Sequence, residues 1–171
     1  NKPTQEGLYR HYKMVAEAVR IPIVLYNVPG RTAVNMLPAT VARLAEIKNI
    51  VAIKEATGDM KQVSEVLRLC GNRLAVLSGD DFTTLPLMAL GGTGVISGSA
   101  NVAPKLVSQM CAAWTSGKHD LARKIHYQLE PLNAAMFIET NPIPVKTALA
   151  MMGKIEEEFR MPLCEMSAPN K

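Results

Sequence analysis

Apolar residues follow two alternating spacings along the first two thirds of the chain. Short apolar runs predict buried strands at residues 21–26, 50–54, 74–78 and 94–97. Between these runs, apolar side chains recur at every third or fourth position, which is the spacing of a helix that covers a sheet. The alternation predicts an α/β fold in which helices pack against a parallel sheet.

Residues that begin or end helices agree with this pattern. Asp59 is a predicted N-cap and Gly71 a predicted C-terminal stop of the same helix. Pro38 and Pro104 stand near the starts of two further helices, where a missing backbone N–H costs nothing. These signals place a helix between one predicted strand and the next, and another after the last strand.

From about residue 118 the strand pattern ends and a long helical stripe follows, with Pro131 as a predicted kink. The chain has 171 residues and about four strand–helix units. Two architectures fit these units: a small doubly wound sheet, or part of a (β/α)8 barrel, which needs roughly 250 residues in full.

One lysine stands at the end of an apolar strand. Lys54 follows residues 51–53 (VAI), and a desolvated lysine is pushed towards the neutral amine. A neutral amine condenses with carbonyl compounds to give a Schiff base. The alternative is a strand-end lysine whose ammonium group reaches into water, which is common.

Tyr26 closes the preceding predicted strand as Lys54 closes the next one. Ends of the same polarity share one edge of a parallel sheet, so a phenol and an amine are expected side by side. A tyrosine hydroxyl both donates and accepts protons and can relay them during imine formation. The alternative is a boundary tyrosine with a buried ring and a hydrated hydroxyl.

Four motifs follow one another in an order that carries a family resemblance. They are residues 26–32 (YNVPGRT), 53–59 (IKEATGD), 77–81 (LSGDD) and 91–97 (GGTGVIS). With them, the chain resembles the dihydrodipicolinate synthase (4-hydroxy-tetrahydrodipicolinate synthase) family of pyruvate-dependent Schiff-base aldolases. The similarity runs from the first residues to about Lys146. Ala33, where the family usually has glycine, and residues 98–99 depart from the family pattern.

The resemblance implies the C-terminal half of a (β/α)8 TIM barrel over residues 1–117, followed by a helical C-terminal extension over residues 118–171. The chain begins with Asn1, not methionine, so we expect a piece of a longer protein that is also clipped at its C-terminus. Apolar strand residues are expected to face the barrel interior: Val24, Ala52, Val76 and Ile96.

The resemblance also implies a reaction and its residues. Lys54 forms the imine with pyruvate, Tyr26 relays protons, and Arg31 holds the carboxylate of L-aspartate-4-semialdehyde. Gly79 and Ile96 line the pyruvate pocket, Ile96 through its backbone carbonyl. From the residues alone, Arg31 is equally a loop arginine paired with a nearby acid.

In the family the relay also uses a threonine and a neighbouring subunit's tyrosine, both expected upstream of Asn1. The product leads to diaminopimelate and lysine, and the expected assembly is a homotetramer, a dimer of dimers. The resemblance implies no metal and no organic cofactor. Sister enzymes, such as N-acetylneuraminate lyase or keto-deoxy sugar-acid aldolases, share the lysine and tyrosine but not usually the arginine. An incomplete half-barrel that serves binding or assembly is the alternative of another class.

Composition narrows the expected binding partners and the expected compartment. The net charge of +4 includes no basic run, and aromatic residues make up only 5%, so nucleic-acid binding is disfavoured. Three widely spaced cysteines fit neither a disulfide framework nor a zinc site, which favours a reducing cytoplasm. No signal peptide or membrane-spanning run is visible, so we expect no membrane partner.

Two further motifs have structural explanations. Residues 91–94 (GGTG) match neither nucleotide-binding fingerprint and are typical of a helix stop before a strand. Asp80 and Asp81 are adjacent and diverge on a turn, so one is expected to cap a helix.

Overall fold

Four parallel strands form one sheet in the computed structural model, which describes residues 1–171. They run in sequential order and belong to the first of two units, Asn1–Ile96 and Ser97–Lys171. The strands are β1 (Ile23–Asn27), β2 (Ile50–Glu55), β3 (Ala75–Ser78) and β4 (Gly94–Val95). The predicted α/β class with a parallel sheet is confirmed.

Helices connect these strands. They are α1 (Gln5–Ala18), α2 (Pro29–Thr32), α3 (Pro38–Leu44), α4 (Met60–Cys70) and α5 (Thr84–Ala89). As predicted, Asp59 caps α4, accepting a hydrogen bond from the backbone N–H of Lys61 (2.8 Å), and Gly71 ends it with φ 54°. The single turn α2 falls where the sequence predicts only a loop.

The core of the first unit lies between one face of the sheet and its helices. The side chains that meet there are almost fully buried: Leu25, Ile53 and Val76 from the strands, and Leu44, Val63 and Val66 from the helices. Burial of such side chains stabilises the fold by about 1.5–3 kcal/mol each. The opposite face carries Val24 and Ala52, which pair in register between β1 and β2.

The predicted set of interior-facing residues is wrong at Val76. Val24 and Ile96 are 45% and 43% exposed, whereas Val76 is 1% exposed in the helix-packed core. Side chains alternate along a strand, and Lys54 pairs in register with Leu77, the residue after Val76. Leu77 therefore shares the face of Lys54, and Val76 points to the helices.

The second unit is helical, with α6 (Pro104–Thr115), α7 (His119–Met136) and α8 (Ile143–Met151). Pro131 lies on an exposed side of α7, and the helix continues beyond it to Met136. The sequence-predicted boundary after residue 117 falls between α6 and α7 and stays a prediction. None of the helices is long and apolar enough to cross a membrane.

Candidate active site

Tyr26 and Lys54 occupy matching positions at the carboxyl ends of β1 and β2. They are register partners, so their side chains lie on the same face of the sheet. The Lys54 Nζ atom lies 4.2 Å from the centroid of the Tyr26 ring. Lys54 is half-buried and Tyr26 is 41% exposed, so this chain encloses the pair only in part.

Gly79 forms a wall against the Lys54 side chain. A Cβ atom at this position would lie 3.0 Å from both Cγ and Cε of Lys54, and 2.7 Å from the Ala56 Cβ atom. Such distances leave no room for any side chain at Gly79. The Gly79 backbone N–H donates to the carbonyl of Glu55 (2.7 Å), which keeps this residue at the strand end beside Lys54.

Ile96 lies at the same end of the sheet, one residue beyond β4. Its backbone N–H donates to the carbonyl of Ser78 (2.9 Å), so the parallel ladder continues to this residue. Its side chain is exposed and lies on the same face of the sheet as Val24 and Lys54. Ile96 therefore stands at the sheet edge where the sequence places it.

Arg31 lies in α2, directly after the strand that ends with Tyr26 and Asn27. Its side chain is exposed. The loop is compact because the backbone N–H of Ala33 donates to the carbonyl of Pro29 (2.8 Å). Ala33 has φ 55°, a left-handed conformation that favours glycine, as the family pattern has at this position.

The acidic pair after Gly79 is partly structural. As predicted, one member is a cap: the Asp80 carboxylate accepts a hydrogen bond from the backbone N–H of Phe82 (3.1 Å). Burial raises the pKa of the Asp80 carboxyl above its ordinary value, and the charge of Asp81 adds to the rise. Asp80 is thus an acid that gives up its proton less readily at the sheet edge.

A buried polar network behind the strand ends is absent from the sequence-based expectations. Asn27 and Glu55, one residue beyond the Tyr26–Lys54 pair, are 2% and 1% exposed. Their side chains hydrogen-bond each other across the two strands (3.1 Å). Their place in the strand alternation is the signal that could have shown them pointing inward to the helices.

The first unit therefore places both Tyr26 and Gly79 within contact distance of Lys54 at one sheet edge. Ile96 extends the same edge, and Arg31 follows in the loop after β1. A primary amine beside a phenol is suited to imine formation and proton transfer. A guanidinium in the segment after β1 is suited to holding a carboxylate.

Comparison with known sequences gives a family. The profile of the dihydrodipicolinate synthetase family matches residues 1–171. The chain is 71% identical over 171 residues to the 4-hydroxy-tetrahydrodipicolinate synthase of Thermodesulfovibrio yellowstonii. This alignment covers all of the chain but 59% of the relative, so the chain spans just under three fifths of that relative's length.

Solved structures agree with the sequence comparison. The crystal structure of dihydrodipicolinate synthase from Aquifex aeolicus superposes with a TM-score of 0.97 at 53% identity, covering 99% of this chain and 58% of that one. The chloride-inhibited dihydrodipicolinate synthase from Acinetobacter baumannii, solved in complex with pyruvate, superposes with a TM-score of 0.96 at 48% identity. That superposition covers 99% of this chain and 58% of the Acinetobacter chain.

Proposed function

The chain belongs to the dihydrodipicolinate synthetase family, and from this premise we propose that it supplies the Schiff-base lysine of a 4-hydroxy-tetrahydrodipicolinate synthase. The reaction condenses pyruvate with L-aspartate-4-semialdehyde in the route to diaminopimelate and lysine. The observation that carries the proposal is the packing of Lys54 between the Tyr26 ring and Gly79. This packing holds one amine at a fixed place on the sheet edge.

In the proposed reaction, the Lys54 amine adds to the keto carbon of pyruvate, and water leaves to give the imine. Loss of a methyl proton converts the imine to an enamine, whose carbon then attacks the aldehyde of the second substrate. The Tyr26 hydroxyl receives and returns the protons that these steps release and consume. The lysine imine itself accepts the electron pair of the broken C–H bond.

Pyruvate as the first substrate is supported by the pyruvate complex of the Acinetobacter enzyme, which is 48% identical to this chain. Gly79 packs directly against the Lys54 side chain and so keeps the amine at the sheet edge that a small keto acid would approach. Ile96, at the neighbouring strand end, completes this side of the proposed pocket.

Arg31 is the proposed contact for the carboxylate of the aldehyde substrate. A guanidinium binds a carboxylate through two parallel hydrogen bonds, and such charge-assisted contacts contribute about 1.5–3 kcal/mol. Its exposed place in the loop after Tyr26 suits the second substrate, which arrives after the imine has formed.

The complete enzyme needs more than this chain. We propose that these residues form the C-terminal half of the barrel and that the remaining length supplies the other relay residues. A homotetramer in the reducing cytoplasm is the proposed assembly and location. The free thiols Cys70, Cys111 and Cys164 are compatible with that compartment.

Trapping with borohydride tests the proposal. Reduction of the barrel-length protein in the presence of pyruvate is expected to fix a label on Lys54, mapped by peptide mass spectrometry. Lys54→Arg is expected to abolish the label, because a guanidinium is too basic to form the imine. A label on Lys48 or Lys61 in place of Lys54 would contradict the assignment.

A further inference from the structure

A buried carboxylate lies directly behind the candidate active site. Glu55 follows Lys54 in β2 and pairs in register with Asn27, which follows Tyr26 in β1. Alternation along the strands turns Glu55 and Asn27 away from the face that carries the amine and the phenol. Gln62 of α4 and Asn35 of the loop after α2 complete a network of four polar side chains.

The backbone decides which way the amides of this network point. The N–H of Met36 donates to the Asn27 Oδ1 atom (2.9 Å), so this atom must be the oxygen. The Asn27 Nδ2 group is then left to donate to Glu55 Oε2 (3.1 Å) and Asn35 Oδ1 (2.8 Å). Asn35 in turn donates from Nδ2 to Gln62 Oε1 (2.7 Å).

The Glu55 carboxylate is satisfied by neutral donors. Gln62 Nε2 donates to Oε2 (3.2 Å), and the backbone N–H of Thr57 donates to Oε1 (2.9 Å). Asn27 supplies a third donor. Every neighbour that contacts the carboxylate oxygens therefore offers a hydrogen, so this position requires an acceptor at both oxygens.

The network also closes the loop that carries Arg31. Asn27 stands at the start of residues 28–35, and its Oδ1 atom holds the N–H of Met36 at their end. The Asn35 side chain hydrogen-bonds to Asn27 at the end of β1 and to Gln62 of α4. The position of this loop relative to the end of β2 thus depends on Glu55.

We propose that Glu55 is a positioning residue that, through Asn27, sets the distance between the Arg31 loop and Lys54. The substrate whose binding would depend on this distance is the proposed carboxylate-bearing aldehyde, so this inference rests on the proposed function. Glu55 touches neither substrate. It acts by holding the two binding groups, guanidinium and amine, at one separation, and errors of about 1 Å in such separations cost up to 100-fold in rate.

Glu55→Gln tests the proposal in the barrel-length protein. The new NH2 group is expected to face the Asn27 and Gln62 amides, because these can turn whereas the backbone N–H of Thr57 cannot. Their turning releases the loop. We expect the KM for the semialdehyde to rise about tenfold or more, while borohydride trapping of pyruvate stays within about twofold.

Arg31→Ala, which removes the proposed contact itself, is the reference for a pure second-substrate defect. Thr147→Val is the control variant, because it removes one partly buried hydrogen bond, from the buried Thr147 hydroxyl to Glu157, in the second unit.

The outcomes separate the two proposals. If wild type shows no pyruvate label at Lys54, the proposed function fails. If wild type is labelled but Glu55→Gln leaves the KM for the semialdehyde unchanged, the positioning role is overturned. It is also overturned if Glu55→Gln lowers trapping and turnover by one common factor together with a lower melting temperature, which indicates a general loss of stability. Should Glu55→Gln not fold, Asn35→Ala at the half-buried end of the network asks the same question, with the same KM rise expected and an unchanged KM overturning the role.

Discussion

At the scale of single residues, Ala33 and Gly79 show how the backbone constrains the candidate site. Ala33 ends α2, the turn that carries Arg31, with φ 55°, where a side chain is disfavoured. Gly79 has an ordinary φ but no space for a Cβ atom beside Lys54. Alanine at position 33 is expected to lower the stability of the fold, and alanine at position 79 is expected to displace Lys54.

Ala33→Gly is expected to stabilise the protein by about 0.5–1 kcal/mol, because glycine adopts the left-handed conformation without steric strain. Denaturant unfolding measures the change. Ala39→Gly is the control, since Ala39 is an exposed residue of α3 and its replacement is expected to cost up to about 1 kcal/mol. Equal effects of the two substitutions would contradict the explanation.

Gly79→Ala is expected to displace Lys54 and lower the rate of pyruvate trapping by about tenfold to a hundredfold. The cause is the methyl group, which would lie 3.0 Å from two carbons of the lysine and 2.7 Å from the Ala56 Cβ atom. Trapping kinetics measure the change. Gly30→Ala, with no atom within 4 Å of the added carbon, is the control and should trap at the wild-type rate.

At the scale of elements, local signals predict the strands and helix caps, because a cap such as Asp59 acts on its own helix. The single turn α2 escapes prediction, since four residues carry no periodicity. The polar network escapes for another reason. Asn27 and Glu55 are 28 residues apart and meet only through strand register, and polar residues after an apolar run are typical of a loop.

Pro131→Ala is the prediction for an element. Pro131 lies inside α7 with an exposed side chain and cannot donate the helical hydrogen bond. Replacement by alanine is expected to stabilise the helix by up to about 3 kcal/mol, measured as a rise in melting temperature. Pro104→Ala, at the first turn of α6, is the control and should give no comparable gain.

At the scale of the whole molecule, one face of the four-stranded sheet is open. Val24 and Ile96 on that face are 45% and 43% exposed, and β1 and β4 are edge strands. In a closed barrel, layers of side chains fill the interior and no edges remain. About two fifths of the length of the Thermodesulfovibrio relative lies outside the match, and sequence of that length is available to close the sheet.

Residues 1–171 expressed alone are therefore expected to aggregate, to pair into a dimer, or to require the rest of the barrel. We also expect no synthase turnover, because the proposed relay partners lie outside this chain. Sedimentation and a coupled synthase assay measure both properties, with the barrel-length protein as the control. A monodisperse monomer that melts cooperatively and turns over would refute this view.

The neutral donors around Glu55 determine how the candidate site responds to ionic strength. Dissolved ions screen attraction between exposed charges but have little influence on hydrogen bonds among buried amides and a buried carboxylate. The proposed framework that spaces the amine and the guanidinium is thus insensitive to salt, whereas the proposed binding of the substrate carboxylate by exposed Arg31 is not. Added salt is therefore expected to weaken binding of the proposed second substrate, while the buried network that positions the Arg31 loop stays unchanged.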